Sequence, residues 1–273
     1  KTRLAAELCA LVEQQGGQIL LGRVLPYGVS TLYGPFSQHV KQLADIFASD
    51  SVDLARTKLR DTVSALVNSD ADDVVGHIEM LIGLETEGEV TDRRVLFFSA
   101  RQLVEAVANA RPTVMVFEDL HWADDNLLDL VEALASRIRA APLLLLALAR
   151  PDLLAARPGW GGGLPAATAL HLEPLDAEHA TELAARLLAE MGAEEHAGDP
   201  RRIVETAEGN PLFIEELAAT LASLADHEIR VLPSTVRELF AALIDGLPPS
   251  DWLFSPRVVH TFHADSTSMF PIP

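Results

Sequence analysis

The sequence predicts an α/β fold, in which helices cover a parallel sheet and an all-helical region follows. Two short apolar segments, 113–117 and 143–149, are typical of strands that helices bury on both faces, and a helical pattern at 126–139 separates them. Strand, helix and strand within about 35 residues make a βαβ unit, whose right-handed crossover leaves the strands parallel. From Leu175 onward the apolar spacing predicts helices alone.

The segments before the βαβ unit continue this alternation of helices and strands. The chain opens in a helical pattern that ends at two glycines, and Gln18–Arg23 then reads as a short buried strand. The apolar face of this first helix comprises Leu4, Leu8, Leu11 and Val12. The remaining predicted elements are helices within 36–84 and at 94–110, 178–191, 200–207, 212–224 and 234–244, and a weaker strand at 169–172.

Composition excludes several classes of protein. With 273 residues, 49% of them apolar and 22% charged, the chain has the make-up of a globular protein and the length for one or two domains. The net charge of −19 argues against extended contact with nucleic acid. One cysteine forms no disulfide framework, and no apolar run approaches the roughly 20 residues of a membrane span. We expect a protein of the reducing cytoplasm that binds neither nucleic acid nor membrane.

The most specific local signal is an apolar strand that ends in two carboxylates, Glu118 and Asp119. Ligands of open α/β sheets bind at the carboxyl ends of the strands. In P-loop nucleotidases a carboxylate at this point, the Walker B element, supports Mg²⁺, and the next acidic residue orients the attacking water. The alternative is that both are solvated acids ahead of a helix that Asp124 or Asp125 caps.

The dipeptide Lys1-Thr2 strengthens the first interpretation. It matches the last two positions of the P-loop, where the lysine reaches the β- and γ-phosphates and the hydroxyl binds Mg²⁺. The dipeptide starts a helix and lies upstream of the acidic strand, which is the order that a P-loop protein requires. A chance dipeptide remains the alternative.

Taken together, these segments resemble the nucleotide-binding domain of the STAND class of AAA-type ATPases. The version found in bacterial adenylate or guanylate cyclase proteins and in LuxR-type regulators is the most similar, and the likeness extends to about residue 248. The residues that carry it are 1–4 (KTRL), 22–28 (GRVLPYG), 118–124 (EDLHWAD), 149–153 (ARPDL), 157–163 (RPGWGGG) and 209–213 (GNPLF).

This resemblance implies a role for each matching residue. Lys1 contacts the phosphates of ATP, Thr2 and Glu118 support Mg²⁺, and Asp119 polarises the attacking water. Glu118, Asp119 and one further residue, Arg150, form the implied catalytic set, in which Arg150 senses the γ-phosphate.

Two of the implied roles have simpler alternatives. Pro211 is expected against the adenine in a helical lid, but Asn210-Pro211 is also the ordinary cap and first-turn proline of any new helix. Arg150 is expected near the γ-phosphate, but it also starts the loop that follows its strand. The glycine-rich segment 159–163 has no lysine and hydroxyl residue after it, so we expect a mobile loop rather than a phosphate site. His121 and Trp122 are expected to fix the loop after the acidic strand.

The resemblance also implies a domain plan. We expect a P-loop NTPase core at 1–174, a helical lid and the start of a further helical region at 175–249, and an irregular tail at 250–273. In this class the first core strand precedes the P-loop helix and lies between the strands at 143–149 and 169–172. Because unpaired buried backbone groups cost about 1 to 3 kcal/mol each, we expect this chain, without that strand, to be marginally stable and to bind ATP weakly or not at all.

Two functions remain open at this point. The first is an ATP-binding regulatory ATPase module of a larger regulator, with a cyclase or helix-turn-helix domain as its partner. The second is a non-catalytic interaction module of a LuxR-type transcriptional regulator, in which the nucleotide site is a relic.

Overall fold

The computed structural model describes residues 1–26, 33–67, 70–84, 92–164, 166–193 and 200–224. The chain divides into two compact units, residues 1–170 and 171–273. None of the described helices is long and apolar enough to cross a membrane. The helix predicted at 234–244 and the tail predicted at 250–273 lie outside the described residues.

The first unit alternates helices with strands, as the sequence predicts. Its elements are α1 (Thr2–Gln14), β1 (Gln18–Arg23), α2 (Gly34–Leu43), α3 (Val52–Leu66), α4 (Ala71–Ile82), α5 (Arg93–Ala110), β2 (Thr113–Glu118), α6 (Asp125–Arg137), β3 (Leu143–Ala147) and α7 (Asp152–Ala156), with a 3₁₀ turn at Leu120–Trp122 between β2 and α6. The described strands form a parallel sheet in the order β1-β2-β3. The mixed α/β architecture with a parallel sheet confirms the predicted fold class.

β2 forms the centre of this sheet. Its first five residues are buried, since β1 and β3 flank it and helices pack over it. The register pairs Gln18 with Thr113 at one end and Arg23 with Glu118 at the other, and Phe117 lies beside Ala147. The carboxyl ends of the strands therefore meet at one edge of the sheet.

The strand predicted at 169–172 is wrong. These residues have no regular secondary structure, and Leu170 is 79% exposed. An extended apolar segment becomes a strand only when a neighbour supplies hydrogen-bond partners. Among the described residues no strand lies on the outer side of β3, where such a neighbour is needed.

Close contact between α2 and the sheet depends on Gly22. A Cβ atom at this position would lie 2.6 Å from the carbonyl oxygen of Pro35 and 2.7 Å from His39 Nε2. The His39 ring is buried, its Nε2 donates a 2.9 Å hydrogen bond to the Val116 carbonyl, and it stands edge-on to Phe117 at 4.7 Å. Burial lowers the pKa of His39 to about 4, so the ring is neutral at pH 7.

The predicted apolar face of α1 is only partly packed. Of the described α1 residues Ala5 alone is buried, whereas Leu4 and Leu11 are each more than half exposed. The more buried positions of the helix include Leu8, Cys9 and Val12 beside Ala5, so the predicted face is right for Leu8 and Val12 and wrong for Leu4 and Leu11.

The glycine-rich loop at 159–163 contacts α6. The indole Nε1 of Trp160 donates a 3.2 Å hydrogen bond to the Leu128 carbonyl. Just ahead of the loop, Arg157 forms an ion pair with Asp129. These contacts join the loop and the residue before it to α6.

The second unit is helical over its described residues. Its elements are α8 (Ala177–Glu190), α9 (Pro200–Ala207) and α10 (Pro211–Leu224). Asp176 caps α8 by accepting the His179 N–H, and Asn210 accepts the Leu212 N–H at the start of α10. The cap at Asn210 agrees with the simpler alternative given for Asn210-Pro211. The core of this unit consists of Ala180, Ala184, Leu188, Ala193, Ile203, Ala207, Phe213, Ile214, Leu217 and Ala218.

Candidate functional site

A small cavity of about 70 Å³ lies at the carboxyl ends of the strands. It gathers five of the six site residues that the sequence predicts. The sixth, Pro211, is the first residue of α10 in the second unit. The lining residues are Lys1, Thr2, Arg23, Glu118, Asp119, His121, Leu148, Ala149 and Arg150.

Lys1 and Thr2 place the amino-terminal end of α1 at this cavity. The first N–H groups of a helix have no partner within it, and the helix dipole makes this end attractive to anions. The Lys1 ammonium donates a 2.9 Å hydrogen bond to the Ala149 carbonyl, which ties it to the segment after β3. Partial burial of the ammonium and the positive charge of Arg150 lower the pKa of Lys1.

Glu118 ends β2 and faces Arg23 across the sheet. The two residues are partners in the β1–β2 register, so their side chains project from adjacent strand ends. Glu118 Oε2 lies 2.6 Å from Arg23 Nη2 and 2.9 Å from Arg23 Nε. One carboxylate oxygen thus accepts a charged hydrogen bond from Arg23 Nε and lies in ion-pair contact with Nη2 of the same guanidinium.

Asp119 turns the chain sharply after β2. Its φ of 57° and ψ of 35° lie in the left-handed region, which aspartate enters more readily than most residues. The turn leads into the 3₁₀ segment, whose Leu120 is fully buried. Asp119 Oδ2 lies 3.6 Å from Arg23 Nε, so Arg23 attracts both carboxylates.

The cavity is basic although the protein is acidic. Three basic side chains, Lys1, Arg23 and Arg150, line it together with two carboxylates. The local excess is positive, against a net charge of −19 for the whole chain. Such a cavity attracts an anionic group.

Two polar lining residues, Arg23 and His121, were given no role at the site by the sequence reasoning. Arg23 belonged to the segment that carried the resemblance but received no role, because strand register cannot be read from sequence. His121 was expected only to fix the loop, yet it lines the cavity, with its ring 5.1 Å from that of Trp122. The position of His121 three residues after the apolar strand was the available signal.

The cavity residues can bind Mg²⁺ only when a phosphate ligand supplies further oxygen atoms. No group of three or more His, Cys, Asp or Glu side chains able to hold a metal occurs among the described residues. Thr2 and Glu118 supply a hydroxyl and a carboxylate, and Mg²⁺ characteristically binds one or two carboxylates and completes its shell with phosphate oxygens and water. Since Arg23 already binds Glu118 Oε2, a metal at Glu118 has to share or displace this guanidinium.

Comparison with known proteins gives one match. The model of the AAA ATPase domain family matches residues 1–146, from the start of α1 into β3. No curated protein and no solved structure matches the chain.

Proposed function

The chain belongs to the AAA ATPase domain family, and from this premise we propose that its cavity binds the phosphates of ATP together with Mg²⁺. Membership makes the first unit an ATPase-type nucleotide-binding module. The observation that carries the finer proposal is the convergence of Lys1, Thr2, Glu118, Asp119 and Arg150 on one cavity. Lys1 and Thr2 lie more than a hundred positions before the other three residues in sequence, and the residue types are those that ATP and Mg²⁺ need.

The roles follow from the chemistry of each side chain. Lys1 and the amino-terminal end of α1 bind phosphate oxygens, which are anionic. The Thr2 hydroxyl and the Glu118 carboxylate hold Mg²⁺, which neutralises charge on the phosphates when bound. Asp119, beside Glu118, orients and polarises the attacking water.

The two arginines of the cavity act at different stages. Arg150 lies just after β3 and binds the terminal phosphate, as a sensor of the triphosphate. Arg23 binds Glu118 and Asp119 and so neutralises the two carboxylates before the metal arrives.

At a larger scale, the module is a nucleotide-driven switch of a multidomain cytoplasmic regulator of the STAND class. The segments 22–28 and 157–163 support association with a cyclase domain, because they are the ones that resemble the cyclase-linked subgroup. Pro211, the first residue of α10, contacts the adenine in a helical lid, and closing of the lid on ATP transmits the signal.

Binding of a fluorescent ATP analogue, followed by anisotropy up to millimolar concentrations, tests this proposal. Glu118→Gln is expected to weaken binding about tenfold or more in Mg²⁺ and to change it little in EDTA, because it removes a metal ligand. Asp119→Asn is expected to bind normally and to lose at least about a hundredfold in turnover. Asp61→Asn, an exposed change on α3, is the matched control.

Two outcomes contradict the proposal. One is the absence of saturable binding by the unmodified chain over the whole range. The other is an equal effect of Glu118→Gln with and without Mg²⁺.

A further inference from the structure

The outer edge of β1 is closed by side chains of α2. Gln42 Oε1 accepts the Leu21 N–H at 2.9 Å, and Gln42 Nε2 donates to the Leu21 carbonyl at 2.5 Å. Gln38 Oε1 accepts the Arg23 N–H at 2.9 Å, and Gln38 Nε2 donates to the Arg23 carbonyl at 3.0 Å. Each side-chain amide therefore makes the pair of hydrogen bonds that a neighbouring strand would supply.

This pairing is possible because the spacing of the two glutamines along the helix matches the spacing of the two residues along the strand. Residues four apart on a helix are separated by about 6 Å along its axis, and residues two apart on a strand by about 6.6 Å. Gln38 and Gln42 can therefore reach alternate residues of β1 at the same time. Gly22, the residue between those two, carries no side chain and lets α2 approach closely enough.

The two glutamines bind the backbone of residues that differ in their relation to the cavity. Leu21 has an exposed side chain and is not one of the residues that line the cavity, whereas Arg23 lines it. Gln38 engages both backbone groups of Arg23, while the guanidinium of the same residue binds Glu118 and Asp119. α2 is thus linked through one residue to the two carboxylates.

We propose that Gln38 is a positioning residue, which holds the Arg23 guanidinium on Glu118 by fixing the Arg23 backbone. Because Arg23 and Mg²⁺ compete for Glu118, the position of α2 then sets how readily the carboxylate accepts a metal. The positioning role stands on the hydrogen bonds alone, and only this consequence for the metal rests on the proposed function.

Exchange of the Arg23 side-chain Nε–H proton, measured by NMR on arginine-labelled protein, tests the positioning role without nucleotide or metal. Gln38→Leu is expected to accelerate this exchange about tenfold. Gln42→Leu, the matched control, removes the same kind of hydrogen-bond pair from the same strand edge and is expected to leave the exchange unchanged. Should Gln38→Leu fail to fold, Gln38→Asn replaces it, since its amide is one methylene too short to reach both backbone groups. Equal exchange in the Gln38 and Gln42 variants overturns the proposal.

Binding of Mn²⁺ in the presence of ATP, followed by the EPR signal of the free ion, tests the consequence. Gln38→Leu is expected to lower the half-saturating Mn²⁺ concentration at least threefold, and Arg23→Gln is expected to lower it further. The double variant is expected to match Arg23→Gln, because Gln38 acts only through Arg23. Additive effects overturn the proposal, since they show that Gln38 acts by another route. Absence of Mn²⁺ binding from every variant contradicts the proposed function, while the proton exchange still decides the role of Gln38.

Discussion

His39 makes the stability of the first unit depend on pH. Its pKa falls from 6.5 to about 4 on folding, because the ring is buried between α2 and the sheet. Between these two pH values the unfolded chain binds the proton more readily than the folded chain, so protonation favours unfolding. The contribution of His39 is fully present above about pH 6.5 and is lost as the pH falls towards 4.

The size of this effect follows from the shift. Each pKa unit corresponds to about 1.4 kcal/mol. A His39 pKa lowered from 6.5 to about 4 therefore makes about 3 kcal/mol of the free energy of unfolding depend on pH. That is a large fraction of the about 5 to 15 kcal/mol that typically stabilises a domain.

Urea unfolding at pH 7 and at pH 4, for the natural residue and for His39→Gln, isolates this contribution. Glutamine stays neutral at both pH values and keeps an N–H group for the Val116 carbonyl. Two of the three tryptophans, Trp122 and Trp160, lie in the first unit, so both proteins also carry Trp252→Phe and fluorescence then reports that unit. The protein with His39 is expected to lose about 3 kcal/mol more than the glutamine variant. Parallel losses would refute the reasoning, because they would show that the ring is protonated in the folded state.

Three further changes test particular features of the fold. Gly209→Ala is expected to destabilise the second unit by about 1 to 3 kcal/mol in thermal unfolding, because Gly209 has a φ of +74° and an added Cβ would overlap the Leu175 carbonyl; an unchanged midpoint would contradict this geometry. Asp129→Asn is expected to speed chymotrypsin cleavage after Trp160 about fivefold, since the half-buried ion pairs of Asp129 with Arg93 and Arg157 contribute about 1 kcal/mol. Unchanged cleavage would mean that these ion pairs do not anchor the loop. Asp119→Ala is expected to cost about 1 kcal/mol more than Asp119→Gly, which tolerates the left-handed backbone, and equal stabilities would argue against that conformation.

Helix and strand bounds were predictable where neighbouring residues in the sequence, such as glycines, apolar runs and capping residues, point to the same structure. β1 has the predicted bounds, Gln18–Arg23, because glycines precede an apolar run of strand length. α8 and α10 begin where an acid or amide side chain can cap them, at Asp176 and Asn210. Placing the carboxylates of Glu118 and Asp119 at the carboxyl edge required only the general rule for parallel sheets.

What depends on pairing between distant segments was not predictable. The apolar content of 169–172 favours a strand, but a strand also needs a neighbour, which local sequence does not reveal. Arg23 lies 95 positions from Glu118, and only the strand register makes them partners. The role of Gln38 is equally hidden, because a half-buried glutamine on a helix usually faces solvent.

Because of the glutamines of α2, the two edges of the sheet differ in how far their backbone hydrogen-bonding groups are occupied. Along β1, the backbone groups of Leu21 and Arg23 are already occupied by side-chain amides, so a strand from another molecule has to displace these amides to pair with the two residues. Along β3, no described strand pairs on the outer side, and Leu144 is 43% exposed. A strand added to this sheet is therefore expected to pair with β3 rather than with Leu21 and Arg23 of β1.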